Sequence, residues 1–539
     1  MALKRRSIFY LPLTILAFAV AGGLYGPKTQ AAAASPEGVD PESGVVRKVT
    51  QVYALVEQNS ANRVSPDKAI YDGAIPGMLR TLDPHSNFFD PKQYQLLREE
   101  QKGHYYGVGM QVGARNGQTV VSAPFPGTPA YRAGLRPGDI ITKVNDKPTG
   151  GLSTTEVADL LKGPKGTQVT ITVAREGAPD PLSFTVTREE IDRPTVAPVF
   201  WVKPGIAYIK ISSFGDNTGR ELDDAFRRLG EANIKGLVLD LRANPGGLLN
   251  RGVEVADHFL QKNQLIVSHH GRASAEQAYV ARTGNHGRDY PIVVLVNRLS
   301  ASAAEIVSGA LQDHDRAWIL GERTFGKGLV QTVYPLSDNT GLALTTAHYY
   351  TPSGRLIQRD YSNRSFLDYY YGRHDDAPNS NDVKMTDSGR TVYGGDGITP
   401  DEKFATATLD RLEVELERRA LFGFTRSYFA THSTALAKGW MPDEGTVDEL
   451  HEYLLKNGVS FTEAEFTADH DWIVRNLARE MYIAAFNVDQ ADQMYAQTDP
   501  EVQRAVDALP KATALVENAR KIIVQRMNSQ PAAGSAARR

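Results

Sequence analysis

The sequence of 539 residues contains no cysteine, which excludes disulfide bonds, thiolate zinc sites and cysteine nucleophiles. It also lacks an excess of either charge, because 60 Lys and Arg residues are matched by 63 Asp and Glu residues. Proteins that bind nucleic acid usually carry a basic excess, so that class of partner is not expected. The 12 histidines are scattered and form no HExxH motif, so we expect neither a metal site nor a cofactor.

Apolar residues, by contrast, are plentiful. Hydrophobic residues make up 41% of the chain and charged residues 23%, a composition typical of folded proteins. At roughly 100–200 residues per domain, the length predicts about three domains.

The N-terminus has the pattern of an export signal. A basic trio at 4–6 precedes an apolar run from Ile8 to Tyr25, and alanines at 31–34 follow. This order is typical of a secretory signal peptide over residues 1–34. The apolar run is also near the lower limit for a membrane span, so an uncleaved anchor stays an alternative. Either interpretation predicts an exported protein, in the periplasm or at the outer face of the cytoplasmic membrane.

The rest of the chain changes character several times. The patterns predict, in chain order: helices over 40–100, a compact β-rich module with glycine turns over 105–190, β-α-β alternation over 205–335, a polar loop over 363–397 and helices over 404–530. The continuous apolar run Ile292–Val296 suits a strand that is buried on both faces. Strands alternating with helices indicate a mixed α/β sheet.

Two short motifs could supply a nucleophile and a base. Ser300 and Ser302 lie where a buried strand ends and a helix begins, so backbone N–H groups and the positive helix end could stabilise an oxyanion. A simple helix cap is the alternative. Lys327 lies between two glycines, and a buried lysine can lose its proton and act as a base. The alternative is an exposed lysine in a hairpin.

Two glycine-containing turns could bind a ligand through backbone N–H groups. The turn over 240–247 ends in Gly246 and Gly247 and enters a helix, a geometry that can hold an anion. The loop over 106–109 leads into a strand, so it could hold a peptide carboxylate while the strand pairs with the peptide. An ordinary turn and a glycine hairpin are the respective alternatives.

Together these motifs resemble those of the C-terminal processing proteases, or tail-specific proteases, of the S41 serine peptidase family. The resemblance extends from about residue 40 to 402 and rests on the following motifs in the family's order: Leu82-Asp83-Pro84-His85-Ser86, Leu161-Lys162-Gly163-Pro164-Lys165-Gly166-Thr167, Asn244-Pro245-Gly246-Gly247, Ser300-Ala301-Ser302-Ala303, Gly309-Ala310-Leu311-Gln312-Asp313 and Thr324-Phe325-Gly326-Lys327-Gly328. No single motif is specific, but the combination is.

The resemblance implies an α/β protease core, with a crotonase-like mixed sheet of β-α-β units, plus an inserted β-rich PDZ domain and helical N- and C-terminal regions. The implied boundaries are a signal peptide or anchor at 1–34, an N-terminal helical region at 40–102, the PDZ domain at 103–190, the protease domain at 191–403, a C-terminal helical region at 404–530 and a flexible tail at 531–539.

The resemblance also implies roles for individual residues. Ser302 is the expected nucleophile and Lys327 the expected general base, oriented by Gln331. The expected oxyanion donors are the N–H groups of Ala303 and of Gly246 or Gly247. The expected peptide-binding residues are Tyr106, Gly107, Val108 and Gly109.

The implied function is that of an exported serine endopeptidase that binds proteins or peptides with free C-termini through its PDZ domain. The family also suggests a homodimer or higher oligomer. One alternative is a non-catalytic PDZ scaffold of the cell envelope, but a scaffold predicts loss of a dyad residue, and both Ser302 and Lys327 are present. A crotonase-like acyl-CoA enzyme is the other alternative, and the export signal argues against it.

Overall fold

The computed structural model describes residues 41–362, 364–372, 382–405, 408–437 and 439–529. The predicted signal at 1–34 and the predicted tail at 531–539 lie outside these residues. Of the described helices, none combines the length and the apolar character needed to cross a membrane.

The described residues up to Asp72 belong to a unit separate from the rest of the chain. It contains helix α1 (Pro41–Asn59) and most of a π-helical turn, Lys68–Ala74. The periodic valines that predict this helix, among them Val45 and Val49, are exposed.

The second unit begins at Gly73 with a short segment that leads into a β-rich module. The leading elements are α2 (Ile75–Leu79), β1 (Asn87–Phe89) and α3 (Pro91–Lys102). The module contains β2 (His104–Gly107), β3 (Met110–Arg115), β4 (Gln118–Pro124), α4 (Pro129–Arg132), β5 (Ile140–Val144), β6 (Lys147–Pro148), α5 (Thr154–Leu161), β7 (Gln168–Ala174), β8 (Leu182–Thr187) and β9 (Glu189–Asp192).

The module is an antiparallel sheet in the order β3-β4-β5-β7-β8, closed by the pair β2-β9. Its core follows from strict alternation: Val169, Ile171 and Val173 of β7 are buried, and the residues between them are not. Among the described strands, β3 is an edge strand with one side open.

The protease region follows the module. Its elements are β10 (Val196–Lys203), β11 (Ile206–Ile211), α6 (Thr218–Leu229), β12 (Gly236–Asp240), α7 (Leu249–Asp257), β13 (Leu265–Gly271), β14 (Ser274–Val280), β15 (Ile292–Val296), α8 (Ala303–Asp313), β16 (Trp318–Gly321), β17 (Leu329–Pro335), β18 (Gly341–Tyr350), α9 (Phe366–Tyr371), β19 (Val383–Met385), β20 (Thr391–Tyr393) and β21 (Glu402–Lys403).

The main sheet has the order β10-β11-β12-β15-β16-β21, and all neighbours from β11 onwards are parallel. Every residue of β12 and β15 is buried, as the apolar run predicts. The carboxyl ends of β12 and β15 are adjacent, because Asp240 is paired with Leu295. The turns that follow these two strands therefore meet at one edge of the sheet.

A second sheet has the order β1-β18-β13-β14, with β17 also paired to β18. Strand β1 precedes the β-rich module in sequence, yet it pairs with β18 of the protease region. The module is therefore inserted into the protease region. Helical spacing predicts only helices over 40–100, so β1 is a correction: its pairing partner lies more than 250 residues away, beyond the reach of local patterns.

The C-terminal region is helical. Its helices are α10 (Arg411–Glu415), α11 (Leu421–Thr431), α12 (Glu444–Lys456), α13 (Glu463–Ala468), α14 (His470–Ala485), α15 (Val488–Thr498) and α16 (Pro500–Ser529). Helix α16 covers one face of the main sheet, where Val502 and Leu509 pack with Val238 and Val293. Helices α6, α7 and α8 cover the other face.

The segment predicted as a polar loop over 363–397 contains helix α9 and the hairpin β19-β20 in its described parts. Tyr369 of α9 is buried against Phe325, with the Arg359 guanidinium 4.5 Å from both rings. This distant packing, and not local periodicity, holds the helix in place.

Candidate active site

The nucleophile candidate lies in a sharp turn between β15 and α8. The backbone of Ser302 has φ 55° and ψ −114°, an uncommon conformation for a residue with a side chain. Such strain persists only where the surroundings enforce it, and it concentrates at functional sites. Gly246 lies directly behind: a Cβ added there would be 2.7 Å from Cβ of Ser302. Only glycine therefore fits at position 246.

The two serines of the motif have different surroundings. The Ser300 hydroxyl is fully buried, donates to the Leu241 carbonyl at 2.8 Å and accepts from the Asn297 N–H at 2.9 Å. It ties together the two turns that follow β12 and β15. The Ser302 hydroxyl is half-buried and bonds to no side chain of the described residues. The geometry thus leaves Ser302 available to a substrate and gives Ser300 a structural task.

Lys327 lies in the turn between β16 and β17. Its Nζ donates to Oε1 of Gln331 at 2.9 Å, and the Gln331 amide in turn donates to the backbone carbonyl of His85. Burial lowers the pKa of Lys327, while the carboxylates of Glu305 and Asp83 oppose that shift. The lysine is therefore driven towards the neutral form that a general base requires. No hydrogen bond joins Lys327 Nζ to the Ser302 hydroxyl, both of which lie among the described residues.

Glu305 connects the two parts of the site, although the sequence motifs assign it no role. Its carboxylate is fully buried, and its Oε2 accepts from the backbone N–H of Ser302 at 2.8 Å and of Lys327 at 2.9 Å. Its Oε1 accepts from the N–H of Gly326 at 2.7 Å and from the Thr324 hydroxyl. One oxygen atom thus fixes the backbones of both predicted dyad residues. Burial raises the pKa of Glu305, and the four hydrogen bonds counteract that rise.

Tyr349 of β18 makes a second bridge. Its buried hydroxyl shares its one hydrogen between two carbonyl acceptors, that of Ser302 at 3.1 Å and that of Lys327. Glu305 and Tyr349 together hold the two turns on both their N–H and C=O sides. A glutamate three residues after a serine at a helix start is a signal that sequence reading can find, since it marks a capping box. Nothing in the sequence predicts that the same glutamate also binds the turn that contains Lys327.

Of the predicted oxyanion residues, Gly246 and Ala303 lie beside Ser302 and Gly247 follows Gly246 in the turn, but their N–H groups differ. The N–H of Gly246 donates to Oδ1 of Asn244 at 2.8 Å and is therefore occupied. The N–H groups of Gly247 and Ala303 have no acceptor among the described residues. Gly246 thus allows the close approach to Ser302, and Gly247 with Ala303 forms the free donor pair.

The segment Leu82–Ser86 positions Lys327 indirectly, through Gln331. Oδ1 of Asp83 accepts from the N–H groups of His85 and Ser86 at 2.8 and 2.7 Å, which fixes the carbonyl that receives Gln331. The His85 ring bonds to the hydroxyl of Tyr369 at 2.8 Å and to that of Tyr370 at 3.1 Å. Burial, together with the charge of Lys327, lowers the pKa of His85 to about 3. The sequence shows the Leu82–Ser86 motif, but it does not show that this segment holds Gln331.

Ser302 and His314, which both lie among the described residues, do not form a serine–histidine pair. His314 lies at the opposite end of α8, where its ring bonds to Asp387 and to the Leu265 carbonyl, both at 2.7 Å.

The residues predicted as a peptide-binding loop divide between a strand and a turn. Tyr106 and Gly107 belong to β2 and pair with β9, whereas Val108 and Gly109 form the turn that leads into edge strand β3. The Val108 and Gly109 carbonyls accept from Ala130 and Phe125. Their N–H groups have no acceptor in the described part of the chain. The free N–H groups of Val108 and Gly109 therefore lie next to the unpaired edge of β3, so one peptide could contact both.

Comparison with known proteins identifies the family. Residues 205–362 match the peptidase family S41, and residues 120–175 match a PDZ domain. A carboxy-terminal-processing protease of Bartonella bacilliformis is 40% identical over 299 residues, which cover 55% of this chain and 68% of that protein. The chain belongs to peptidase family S41. A carboxyl-terminal-processing protease of Synechocystis is also 40% identical (53% and 68% covered), and the carboxy-terminal processing protease CtpB of Bacillus subtilis is 32% identical (62% and 70% covered).

This S41 peptidase is a serine protease with a PDZ domain, as its motifs predict. The matched protease segment contains Gly246, Ser302, Lys327 and Gln331. Helices α10–α16 follow the matched segment.

Proposed function

We propose that this S41 peptidase is an exported endopeptidase that recognises protein C-termini through its PDZ domain and cleaves with a Ser302–Lys327 dyad. The observation that carries the proposal is the Glu305 carboxylate, which holds the backbones of both residues on one oxygen. The desolvated lysine and the free N–H pair beside Ser302 supply the remaining requirements of an acyl-transfer site.

The proposed reaction has two halves. Neutral Lys327 takes the proton of the Ser302 hydroxyl as the oxygen attacks the scissile carbonyl, and the N–H groups of Gly247 and Ala303 bind the resulting oxyanion. The lysine then gives its proton to the leaving amine, and an acyl-enzyme remains on Ser302. Water, activated by the same lysine, hydrolyses the ester in the second half. Gln331 keeps the lone pair of Lys327 directed at Ser302 throughout.

The PDZ domain would select the substrate. A peptide that adds to the open edge of β3 would place its terminal carboxylate at the N–H groups of Val108 and Gly109.

Casein cleavage by the wild type and by Ser302→Ala tests the proposed chemistry. We expect cleavage by the wild type, none by Ser302→Ala, and near-normal activity from the control Ser308→Ala. Ser308 lies on the same helix, and its hydroxyl bonds only to the Ala304 carbonyl within that helix. Equal cleavage by the wild type and Ser302→Ala would contradict the assignment, and an inactive wild type would favour a scaffold.

The export part of the proposal rests on the basic trio, apolar run and alanines at 4–34. Added protease should digest the body of the protein in intact spheroplasts while a cytosolic marker stays protected. Protection of both proteins would contradict export.

A further inference from the structure

The turn that carries the oxyanion residues is anchored to the C-terminal helical region. Arg242 lies at the start of this turn, with its side chain only 15% exposed. Its Nε and Nη2 bind the Asp240 carboxylate, at distances down to 2.7 Å. Its Nη1 binds Glu501 at 2.7 Å and Asp499 at 2.8 Å, which lie at the start of helix α16.

Glu501 is held firmly at this position. It is buried, and its backbone N–H donates to Oδ1 of Asp499 at 2.9 Å. Its second oxygen, Oε1, has no hydrogen-bond partner within the described ranges and lies against Gly321 at the end of β16, where an added Cβ would be 2.9 Å away. The following turns of α16 pack into the core of the main sheet. The helix start is therefore part of the sheet edge that forms the site.

From Arg242 the turn runs directly to the oxyanion donors. Ala243 has a positive φ of 56° and donates to Oδ1 of Asn297 at 2.9 Å. Asn244 accepts from the N–H groups of Ala301 and Gly246. The conformation of this short turn sets where the N–H of Gly247 points.

We propose that Glu501 is a positioning residue for the oxyanion turn, that it acts through Arg242, and that the C-terminal helical region is thereby part of the catalytic apparatus. The inference rests on the proposed function, because it assigns Glu501 an effect on the oxyanion step. Deletion of the helix start would leave Arg242 bound on the Asp240 side alone.

The charge of Glu501 makes this role testable. The groups that face it are Arg242, Asp240 and Asp499, with Lys210 and Tyr208 on the far side of Asp240. Burial, reinforced by Asp499 and Asp240, raises the pKa of Glu501 to about 7 against the opposing effect of Arg242. Glu501 thus loses its charge as the pH falls through neutrality. The neutral form binds the guanidinium more weakly, so the turn is held less firmly in acid.

The test compares kcat of Glu501→Gln with that of the wild type at pH 8 and pH 6, on a peptide with a free C-terminus. At pH 8 we expect kcat about tenfold below wild type, with KM unchanged within twofold, since the variant leaves the PDZ domain intact. At pH 6 the difference should shrink to about twofold, because wild-type Glu501 is then largely neutral too. Glu517→Gln, an exposed site on the same helix, is the control and should match the wild type at both values.

A second comparison tests the route through Arg242. In an Arg242→Met background, where the side chain can bind neither Asp240 nor Glu501, Glu501→Gln should change kcat by less than twofold. A tenfold effect in that background would overturn the route. The positioning role would be overturned if kcat of Glu501→Gln were reduced equally at both pH values, or were not reduced at pH 8. In either case, cleavage by the wild type would leave the proposed function intact. A wild type without activity would overturn both.

Discussion

Replacement of Glu305 by glutamine should disconnect the proposed nucleophile, Ser302, from the proposed base, Lys327, while leaving both in the sequence. The carboxylate accepts four hydrogen bonds, two on each oxygen, at distances from 2.5 to 2.9 Å. An amide of the same shape offers one oxygen and one NH₂ group. If the NH₂ group takes the place of Oε1, the N–H of Gly326 faces a donor instead of an acceptor. If it takes the place of Oε2, the N–H groups of Ser302 and Lys327 do.

The magnitude follows from these contacts. A buried N–H without an acceptor costs about 1–3 kcal/mol. If that free energy is spent on displacing either turn, kcat falls by roughly 10- to 100-fold, at about 1.4 kcal/mol per factor of ten. Burial penalises the ionised form of Glu305, so the neutral amide recovers some stability. The activity, and not the melting temperature, is therefore the decisive measurement.

A second signature accompanies the loss of activity. The charge of Glu305 raises the pKa of Lys327, in opposition to burial. Without that charge the lysine deprotonates at lower pH, so the rise of kcat with pH should shift to lower pH in Glu305→Gln. Steady-state cleavage of a fluorogenic peptide between pH 5 and 9 measures both effects. Glu322→Gln, whose carboxylate accepts only weakly from the Arg298 N–H at 3.4 Å, is the control. A Glu305→Gln enzyme with kcat within twofold of wild type would refute the bridge.

Three other predictions follow from the same geometry. Lys327→Arg should be as inactive as Lys327→Ala, below a tenth of wild-type kcat, because a guanidinium stays charged; Gln331→Ala should lose less, and an active arginine variant would rule out a neutral lysine base. A peptide with a free apolar C-terminus should be cleaved faster than its amide, because the amide lacks the charge that the N–H groups of Val108 and Gly109 would bind; equal rates would argue against recognition of the terminus. Burial lowers the pKa of His85 to about 3, so between pH 6.5 and 3 the unfolded chain binds a proton that the folded chain does not, and the free energy of unfolding decreases as the pH falls through this range. Urea unfolding should show a smaller decrease for His85→Asn. Identical pH dependences for the variant and the wild type would contradict this account.

The parts of the fold that could be predicted are those that depend on local periodicity. The apolar run of β15 identifies a strand covered on both faces, and the alternation in β7 identifies a half-buried strand. Helix α8 shows the limit. The sequence indicates only that a helix begins near Ser300 and Ser302, whereas the structure starts it at Ala303, because Ser302 has a positive φ that its neighbours impose.

For the candidate site, the sequence indicates which residues could be reactive, but it does not indicate which contacts hold those residues in position. Lys327 and Gln331 can be named from their motif, and their hydrogen bond is present. The partners of Glu305 and Arg242 could not be named, since they lie 22 and 259 residues away along the chain. Spacing within a helix or strand carries no information about such contacts.

The insertion of the β-rich module has a consequence for how this enzyme can evolve. The chain enters the module along β2 and leaves along β9, and these strands are paired from His104 with Asp192 to Gly107 with Glu189. Entry and exit are thus only about 5 Å apart, the spacing of neighbouring strands. The ion pair Arg426–Glu176, which joins the module to the C-terminal helices, is partly exposed to solvent and so contributes little stability. If the module selects the substrate, as proposed, a different recognition domain with closely spaced ends could take its place, and the choice of substrate could then diversify separately from the cutting of the peptide bond.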